Sequence, residues 1–297
     1  MAGGQERILR RRIKSVQATR KITKAMELIA ASQIAKSQAR IAANRPYRNG
    51  MKRVIIEAAL GDPAAAAKLL ATPDKVETAV VLVITGDRGL SGAYNSSALR
   101  AGERLVRQLR SQGTNVRLFA VGKKAAAFFR FRGMEVERSF VGFADRPTFA
   151  DAREVAAEIA APFIDGDAQQ VLLVSTKFLS AATQRVEIDQ LLPLQLPEVP
   201  VDEAPKGLKG YTEFEPEVEQ LLTSLAPIAL ESEVFTAILN GAASFHTSQQ
   251  RAMAAATDNA DELGRNLSRI MNRARQDSIT TEIMEIVSGA EALRSGK

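Results

Sequence analysis

The chain of 297 residues has no cysteine, no tryptophan and one histidine, and aromatic residues make up only 5% of it. Without cysteine it cannot form disulfides, thiolate metal sites or a cysteine nucleophile. A single histidine excludes a metal site built from several histidines and leaves His246 as the one candidate for a Ser-His-Asp triad. The shortage of aromatics is unfavourable for a protein that recognises bases or sugars by stacking. Much of the side-chain chemistry used by hydrolases and metalloenzymes is therefore missing.

Long apolar runs and targeting segments are lacking as well. No stretch approaches the ~20 consecutive apolar residues that a membrane-spanning helix needs. The chain passes from Met1 almost directly into charged residues, without the apolar core of a signal peptide, and no serine-rich stretch of the kind found in mitochondrial transit peptides follows. We expect a protein of a bacterial-type cell that uses neither a cofactor nor a metal.

Positive charge is concentrated at the N-terminus. Residues 1–53 contain fourteen Lys and Arg against only Glu6 and Glu27, a net charge of +12, whereas the whole chain carries +6. This imbalance predicts an acidic partner for the N-terminal segment. Acidic loops of another protein, nucleic acid and an anionic membrane are the candidates. The absence of any aromatic residue before Tyr47 makes the last two less favourable.

Both ends of the chain are typical of long helices that pack on each other. No Gly or Pro occurs from Gln5 to Arg45, and none of the residues after Pro227 is a proline. Apolar or small residues recur in both segments in steps of three and four, which predicts a left-handed antiparallel coiled coil of residues 1–59 and 217–297. The predicted seam residues are Leu9, Ile13, Val16, Thr19, Ile22, Met26 and Ile29, and Met253, Ala256, Ala260, Leu263, Leu267, Ile270 and Ala274.

The middle of the chain predicts an inserted α/β domain, which we assign to residues 74–215. The predicted strands are 79–84, 116–121, 134–138 and 171–175, a hairpin over 177–191, and an edge strand over 211–214; the predicted helices are 99–110, 123–131 and one that runs from Thr148 or Asp151 to Ile164. Alternation of this kind favours a Rossmann-like, doubly wound sheet. The stretch 193–210 is rich in Pro and Gly and is expected to be a linker.

The segment 85–95 lies where a doubly wound sheet places a phosphate-binding loop. It contains three glycines but matches neither the G-x-G-x-x-G nor the G-x-x-x-x-G-K-[ST] pattern, so a tight turn is favoured over a nucleotide site. His246 lies beside Phe245 in a predicted helix, far from any candidate nucleophile. We expect it to be a surface or interhelical residue.

The last turns of the C-terminal helix are apolar on more sides than one seam can use. The residues concerned are Ile279, Ile283, Met284, Ile286, Val287, Ala290, Ala292 and Leu293. A free coiled-coil end is polar except along its seam, so this end predicts an apolar sleeve supplied by another molecule. Folding back onto the α/β domain is the alternative.

Segments spread along the chain resemble the γ subunit of rotary ATP synthases, and they occur in the order of that family. They are residues 12–26 (RIKSVQATRKITKAM), 87–95 (DRGLSGAYN), 253–259 (MAAATDN), 272–280 (NRARQDSIT) and 285–290 (EIVSGA). Ser91 stands where many members have Cys, and the cysteine-bearing regulatory insertion of chloroplast members is absent. The first feature is a mild departure from the family pattern, and the absence of the insertion favours a bacterial type.

The resemblance implies the central-stalk rotor subunit of the proton-transporting ATP synthase. Such a subunit couples rotation of the membrane c-ring to ATP synthesis or hydrolysis in the α3β3 head, and also contacts the ε subunit. It has no catalytic site of its own, binds no nucleic acid and reaches the membrane only through the c-ring. Its place would be peripheral, on the cytoplasmic face of the bacterial cell membrane.

The family pattern also implies two sets of partner residues. The residues expected to contact β-subunit loops are Lys21, Lys24, Met26, Arg275, Gln276, Thr280 and Glu282, and those expected to form an apolar bearing tip are Ile283, Ile286, Val287 and Leu293. Two other functions stay open from the residues alone. One is a coiled-coil adaptor with a nucleotide-binding-like domain, and the other is an enzyme that binds a nucleotide through residues 86–92.

Overall fold

A computed structural model describes residues 2–62, 75–194 and 214–295. The described helices and strands are, in chain order, α1 (Ala2–Gly61), β1 (Thr78–Ile84), α2 (Tyr94–Ser111), β2 (Asn115–Val121), α3 (Lys123–Phe131), β3 (Arg138–Phe140), α4 (Phe149–Ile164), β4 (Gln170–Phe178), β5 (Gln184–Leu192) and α5 (Val218–Ser295). The chain divides into two compact units, Met1–Ala30 with Gln250–Lys297, and Ala31–Gln249. Each terminal helix therefore contributes to both units. The division at residues 59, 74, 215 and 217 stays a prediction.

The second unit, Ala31–Gln249, is built on a five-stranded sheet in the order β3-β2-β1-β4-β5. The first four strands are parallel, and β5 pairs antiparallel with β4 through the predicted hairpin. The expected fold class, an α/β fold with a doubly wound sheet and long terminal helices, is confirmed. Strand β3 begins later than predicted because the Met134 N–H bonds to Phe129 O at 2.9 Å, in the turn that ends α3. That N–H is unavailable to the sheet.

Both faces of the sheet are buried, as the apolar run 79–84 predicted. Val80, Leu82 and Ile84 pack with α4 and the first part of α5, whereas Val81 and Val83 pack with α2 and α3 on the other face. Side chains alternate between the faces of a strand, so an uninterrupted apolar run is what a strand covered on both sides requires.

The C-terminal half of α1 packs beside the beginning of α5 in the same unit. Arg48 and Glu233 form an ion pair at 2.7 Å, and Asn44 Nδ2 donates to Thr236 Oγ1 at 2.9 Å. Pro46 lies inside α1 without ending it. Of the predicted edge strand 211–214 only Phe214 is described, and it lies outside any strand. The linker lies mostly outside the described residues.

Within the described residues, one helix contains a stretch that is long and apolar enough by composition to cross a membrane; it is α5, over Val218–Glu291. Core helices of soluble proteins have the same composition. Leu230, Val234 and Ile238 of α5 are at most 3% exposed because they cover one face of the sheet. Packing therefore accounts for the apolar character of this part of α5.

The first unit is a two-helix coiled coil whose seam differs from the predicted one. Along α1 the seam runs through Val16, Thr23 and Ala30, whereas Ile22 and Ile29 are 61% and 60% exposed. Along α5 it runs through Met253, Thr257, Ala260, Gly264 and Leu267, while the predicted Leu263 and Ile270 are 48% and 52% exposed. The prediction that these four large residues lie in the seam was wrong. It was also wrong for Thr19, which is exposed.

The reason for the difference is the closeness of the two helices. Thr23 Oγ1 and Thr257 Oγ1 hydrogen-bond at 2.8 Å, and a Cβ added to Gly264 would lie 3.9 Å from Val16 Cγ1. Backbones approach this closely only where small side chains face each other. Thr23 and Gly264 therefore lie in the seam, and their larger neighbours Ile22 and Leu263 lie outside it.

Candidate partner surfaces and the loop after the first strand

The predicted partner residues of α1 lie on or beside its solvent face. Lys21 is exposed, and Lys24 is exposed with its Nζ 3.0 Å from Glu27 Oε1. Met26 is half-buried beside the seam and is not a central seam residue. Arg20 pairs across the coiled coil with Asp261. Exposed pairs of this kind contribute about 0–1 kcal/mol each, so most of the positive charge is available to a partner.

The predicted partner residues of α5 lie together on two successive turns. Arg275, Gln276, Thr280 and Glu282 are all exposed. Thr280 Oγ1 donates to the Gln276 carbonyl at 2.9 Å, which occupies its hydroxyl within the helix. Glu282 Oε1 accepts a second hydrogen bond within the helix, from Ser278 Oγ at 3.5 Å.

The two predicted sets of β-loop contacts do not form one site. The antiparallel register that brings Thr23 to Thr257 places Lys24 opposite residue 256, which is twenty residues before Gln276. At 1.5 Å per residue, that separation is about 30 Å along the coiled coil. One partner loop cannot reach both sets, so a lower and an upper contact are expected, and both stay predictions.

The end of α5 extends beyond the start of α1. The same register places the beginning of α1 opposite residue 278, so the following residues have no partner residue on α1. Residues 279–291 are exposed throughout, with Ile283, Ile286 and Val287 at 55%, 71% and 54%. The side chain of Leu293 lies outside the described residues.

The loop after β1 is held by its own side chains. Asp87 accepts hydrogen bonds from the backbone N–H groups of Lys123 (3.0 Å), Gly142 (2.9 Å) and Ala144 (3.2 Å). Asn95 Oδ1 accepts from Gly86 N at 2.9 Å. Helix α3 starts at Lys123, so the Asp87 carboxylate occupies the position at a helix N-terminus where an external phosphate would bind. This arrangement favours the tight turn over a nucleotide site.

Asp87 is the residue of this loop that sequence reasoning missed. Its partners lie 36 to 57 residues away in the chain, so no local pattern indicates them. The position of an Asp directly after a buried strand, followed by glycines, was the available signal. It indicates an acceptor for backbone N–H groups at the edge of the sheet.

His246 was expected at the surface or between helices; it is buried, so the surface placement was wrong. Its side chain lies between α5 and the loop that follows β3, with Nε2 3.3 Å from Asp145 O. Burial lowers the pKa of His246 below its ordinary value of 6.5, and the charges of Arg88 and Arg146 lower it further, while Asp145 opposes them. The ring is therefore neutral in the folded protein near neutral pH.

This burial predicts that acid destabilises the α/β unit. Because the unfolded chain binds a proton at His246 more readily than the folded one, the stability that the neutral ring provides is present above pH 6.5 and is lost as pH falls below it. We expect the H246Q variant to show a flatter pH dependence of the free energy of unfolding across this range. Urea titrations above and below pH 6.5 would measure it. An unchanged slope would exclude His246 as the titrating group.

No cluster of three or more His, Asp or Glu suited to a metal ion is found in the part of the chain that the structure describes. The described features are instead surfaces: a basic coiled coil, an exposed polar cluster near its end and an apolar tip. Together with a doubly wound α/β unit, they are typical of the class of proteins that bind protein partners.

Comparison with known proteins agrees with this class. A family model described as ATP synthase matches residues 5–293. The ATP synthase γ chains of Parafrankia sp. and Frankia casuarinae are 47% and 46% identical to this chain, each over 99% of both chains. That of Streptomyces coelicolor is 43% identical over 98% of this chain and 97% of its own length. The chain belongs to the ATP synthase γ chain family.

Solved structures support the fold. The chain is similar to one in the Euglena gracilis mitochondrial ATP synthase (OSCP/F1/c-ring, rotational state 3), with a TM-score of 0.66 and 17% identity over 99% of this chain and 96% of that one. It is also similar to one in the central stalk and c-ring of the Tetrahymena thermophila enzyme, with a TM-score of 0.61 and 24% identity over 79% of this chain and 99% of that one. These identities are low, so the likeness concerns the fold alone.

Proposed function

We propose that this chain is the central-stalk rotor subunit of a bacterial proton-transporting ATP synthase. Its coiled coil lies inside a ring of three α and three β subunits, and its α/β unit contacts the c-ring and the ε subunit. Rotation presents a different face of the coiled coil to each β subunit in turn. Differential contacts of this kind shift each catalytic site between conformations of different nucleotide affinity.

The observation that carries the proposal is the exposed end of α5. Large apolar side chains cover several sides of a single helix that extends past its coiled-coil partner. Burial of each such side chain is worth about 1.5–3 kcal/mol, so the free chain leaves a substantial stabilisation unused. A sleeve at the top of a subunit ring provides the missing surface.

In this function the chain has no catalytic site, and its residues act by contact. Lys21, Lys24 and Met26 meet a β-subunit loop at the lower contact, and the cluster 275–282 meets another at the upper contact. Exposed, individually weak ion pairs suit a rotor because deep energy wells would stop rotation. The protein is peripheral to the cytoplasmic face of the cell membrane and is held there through the c-ring.

The experiment that tests the function is co-purification. The chain carrying an affinity tag, expressed in its own host, is expected to recover α and β subunits together with ATPase activity. A coiled-coil adaptor would recover other proteins without ATPase activity, and a nucleotide-binding enzyme would bind a nucleotide as the isolated chain. Either result would overturn the proposal.

Removal of residues 283–297 is expected to weaken assembly with α and β subunits while leaving the melting temperature of the isolated chain nearly unchanged. The side chains of residues 283–290 are exposed in the free chain, so folding is not expected to depend on them. Calorimetry of the free chain and gel filtration of the reconstituted complex would measure the two effects.

A full-length variant with Ser at Ile283, Ile286 and Val287 is the matched control for helix length. It is expected to lose assembly to a similar extent, because apolar burial and not length provides the affinity. Full assembly of this variant would show that the tip is not a bearing surface.

A further inference from the structure

The two faces of the sheet in the α/β unit differ in charge. From Tyr94 to Arg132, the stretch that forms α2, β2 and α3, there are nine Lys and Arg against one acidic residue, Glu103. Helix α4, which covers the opposite face, has three acidic residues and one Arg. Helices α2 and α3 lie over the same core, and we call their outer surface the α2–α3 face.

A shared carboxylate holds the end of α3 beside the middle of α2. Glu103 of α2 is buried, and its Oε1 lies 2.7 Å from Arg107 Nη2 and 3.2 Å from Nε of Arg132, the residue that follows α3. A Cβ added to Gly102 would lie 3.2 Å from the ring of Phe129, so the two helices are in close contact here. The exposed side chains of both helices therefore belong to one continuous surface.

Most bases of this surface are not neutralised within the protein. Six of them are exposed and form no ion pair with any residue that the structure describes: Arg100, Arg104, Arg110, Lys123, Lys124 and Arg130. Along α2, Arg100, Arg104 and Arg107 follow one another at steps of four and three, so like charges are neighbours on one side of the helix. Such neighbours destabilise a helix. An anionic partner would relieve this repulsion, so the row favours binding and not stability.

An exposed phenylalanine lies beside these charges. Phe131, the last residue of α3, is 87% exposed, the highest value among the exposed large hydrophobic residues that are described. Arg130 precedes it and Arg132 follows it, and its ring belongs to neither core cluster of the sheet. Aromatic and Arg side chains are enriched together in the interfaces between proteins. The combination indicates a protein partner that offers an apolar side chain among carboxylates.

We propose that the α2–α3 face binds an acidic segment of a partner protein. The exposed bases pair with carboxylates of that segment, and the Phe131 ring packs against an apolar side chain of it. Four of the six unpaired bases are Arg, whose planar guanidinium binds a carboxylate through two parallel hydrogen bonds. The β-subunit contacts proposed above lie on α1 and α5, so this contact is additional to them. It depends on the α/β unit alone and not on rotation.

Two other anionic partners fit the face less well. Single-stranded nucleic acid is bound by stacking on several exposed aromatic side chains, and of the aromatic residues on α2 and α3 only Phe131 is exposed. The outside of a DNA duplex offers phosphates but no apolar surface for that ring. In the proposed function the chain reaches the membrane only through the c-ring, which keeps the face away from lipid.

The lack of cysteine permits a direct test on the full chain. An environment-sensitive fluorophore is attached at A127C on α3 and, as a matched control, at A157C on α4; both alanines are exposed, on opposite faces of the sheet. The probe is a helical peptide with Glu on every turn and one row of Leu, and a reference peptide has Gln in place of each Glu. The acidic peptide is expected to change the signal at position 127 only, and the reference peptide at neither position. Equal changes at both positions, or none at position 127, would overturn the proposal.

Variants then identify the groups responsible. In the A127C background, the triple variant R100Q/R104Q/R130Q is expected to reduce peptide affinity by about tenfold, since each exposed ion pair contributes about two- to threefold. F131S is expected to reduce it by about tenfold as well. The triple variant R11Q/K14Q/K21Q removes equal charge from exposed positions on α1, and it is expected to leave the affinity measured at position 127 unchanged. A loss as large as that of the face variant would mean unspecific attraction and overturn the proposal.

A carbodiimide tests the contact with the natural partner, because it joins a Lys amine to a carboxylate only where the two touch. Lys177 Nζ lies 3.1 Å from Glu187 Oε2, so this pair is the internal positive control. In extracts of the chain's own host, Lys123 or Lys124 is expected to be joined to an Asp or Glu of another protein, as located by mass spectrometry. The variant R100Q/R104Q/R130Q is expected to lose this product and to keep the control bond. A control bond without any bond from Lys123 or Lys124 would overturn the proposal.

Two further results would assign the face to another class of partner and overturn the proposal. A short DNA duplex that displaces the acidic peptide at a lower concentration of charge would indicate nucleic acid. Vesicles with phosphatidylglycerol that do so would indicate lipid. Recovery of α and β subunits by the tagged chain is measured separately. Its failure would contradict the proposed function and would leave the peptide result intact.

Discussion

Replacement of Gly122 by alanine is expected to destabilise the α/β unit by at least about 3 kcal/mol, a large part of the stability of a typical domain. Gly122 connects β2 to α3 with φ +94°, a conformation that side chains disfavour. A Cβ at this position would collide with the Thr85 carbonyl and would lie 2.9 Å from the Gly86 carbonyl oxygen. These atoms are backbone, so they cannot turn away.

The collision has a wider effect because this backbone is fixed from several sides. Gly122 N donates to Phe140 O at 2.8 Å, and Thr85 Oγ1 accepts a hydrogen bond from Ala125 N at 2.9 Å. Any shift that relieves the clash therefore breaks hydrogen bonds at the carboxyl ends of the strands, where Asp87 also holds the start of α3. The free energy of unfolding in urea would measure the loss.

Gly113→Ala is the matched control. Gly113 also has a positive φ, +83°, but an added Cβ would meet nothing within 4 Å. This substitution is expected to cost only the backbone strain, about 1–2 kcal/mol. Equal losses for the two variants would show that backbone conformation, and not the close approach of two loops, causes the requirement for glycine at position 122.

The α/β unit was predictable because its signals are local. Strand β1 is an uninterrupted apolar run, α3 was predicted with its exact bounds, and Thr148 caps α4 with the side-chain and backbone hydrogen bonds of a capping box. Each element is specified by residues within one short window. The position of β3 was missed because its start depends on how α3 ends.

The seam of the coiled coil was less predictable for a physical reason. Apolar residues occur at both the i+3 and the i+4 positions, and hydrophobicity alone favours Ile22 and Leu263 over Thr23 and Gly264. The structure buries the smaller residues because they allow closer helices, and it leaves the larger ones exposed. The large apolar residues left on the surface can contact a surrounding ring of subunits. Their exposure, which local hydrophobicity alone disfavours, therefore agrees with the proposed function.

The positions of the predicted partner residues depended partly on the resemblance. Periodicity indicates that Arg275 and Gln276 follow the end of the regular seam, but no pattern within one chain identifies what they contact. The structure adds that both are exposed and lie about 30 Å from the lower set. Their contact with a β subunit stays a prediction.

Alanine at both Arg275 and Gln276 is expected to lower the steady-state ATPase turnover of the assembled complex by about tenfold or more. A charge-assisted hydrogen bond contributes about 1.5–3 kcal/mol, and losing it in only some rotary positions changes the relative populations of those positions. The melting temperature of the isolated chain is expected to stay nearly constant, because substitutions of exposed helix residues rarely exceed about 0.5 kcal/mol.

The matched control for this pair is alanine at both Arg265 and Asn266, which are likewise exposed on α5 but lie within the paired part of the coiled coil. Both variants are reconstituted with α and β subunits of the same organism, and turnover is compared with calorimetry of the free chain. The control is expected to keep its turnover. Normal turnover of the 275/276 variant in an intact complex would exclude an upper contact at these residues, whereas a large drop in its melting temperature would make the pair structural. If Arg275 and Gln276 contact a β subunit only in certain rotary positions, turnover should fall in the 275/276 variant alone. Its melting temperature and assembly should stay unchanged.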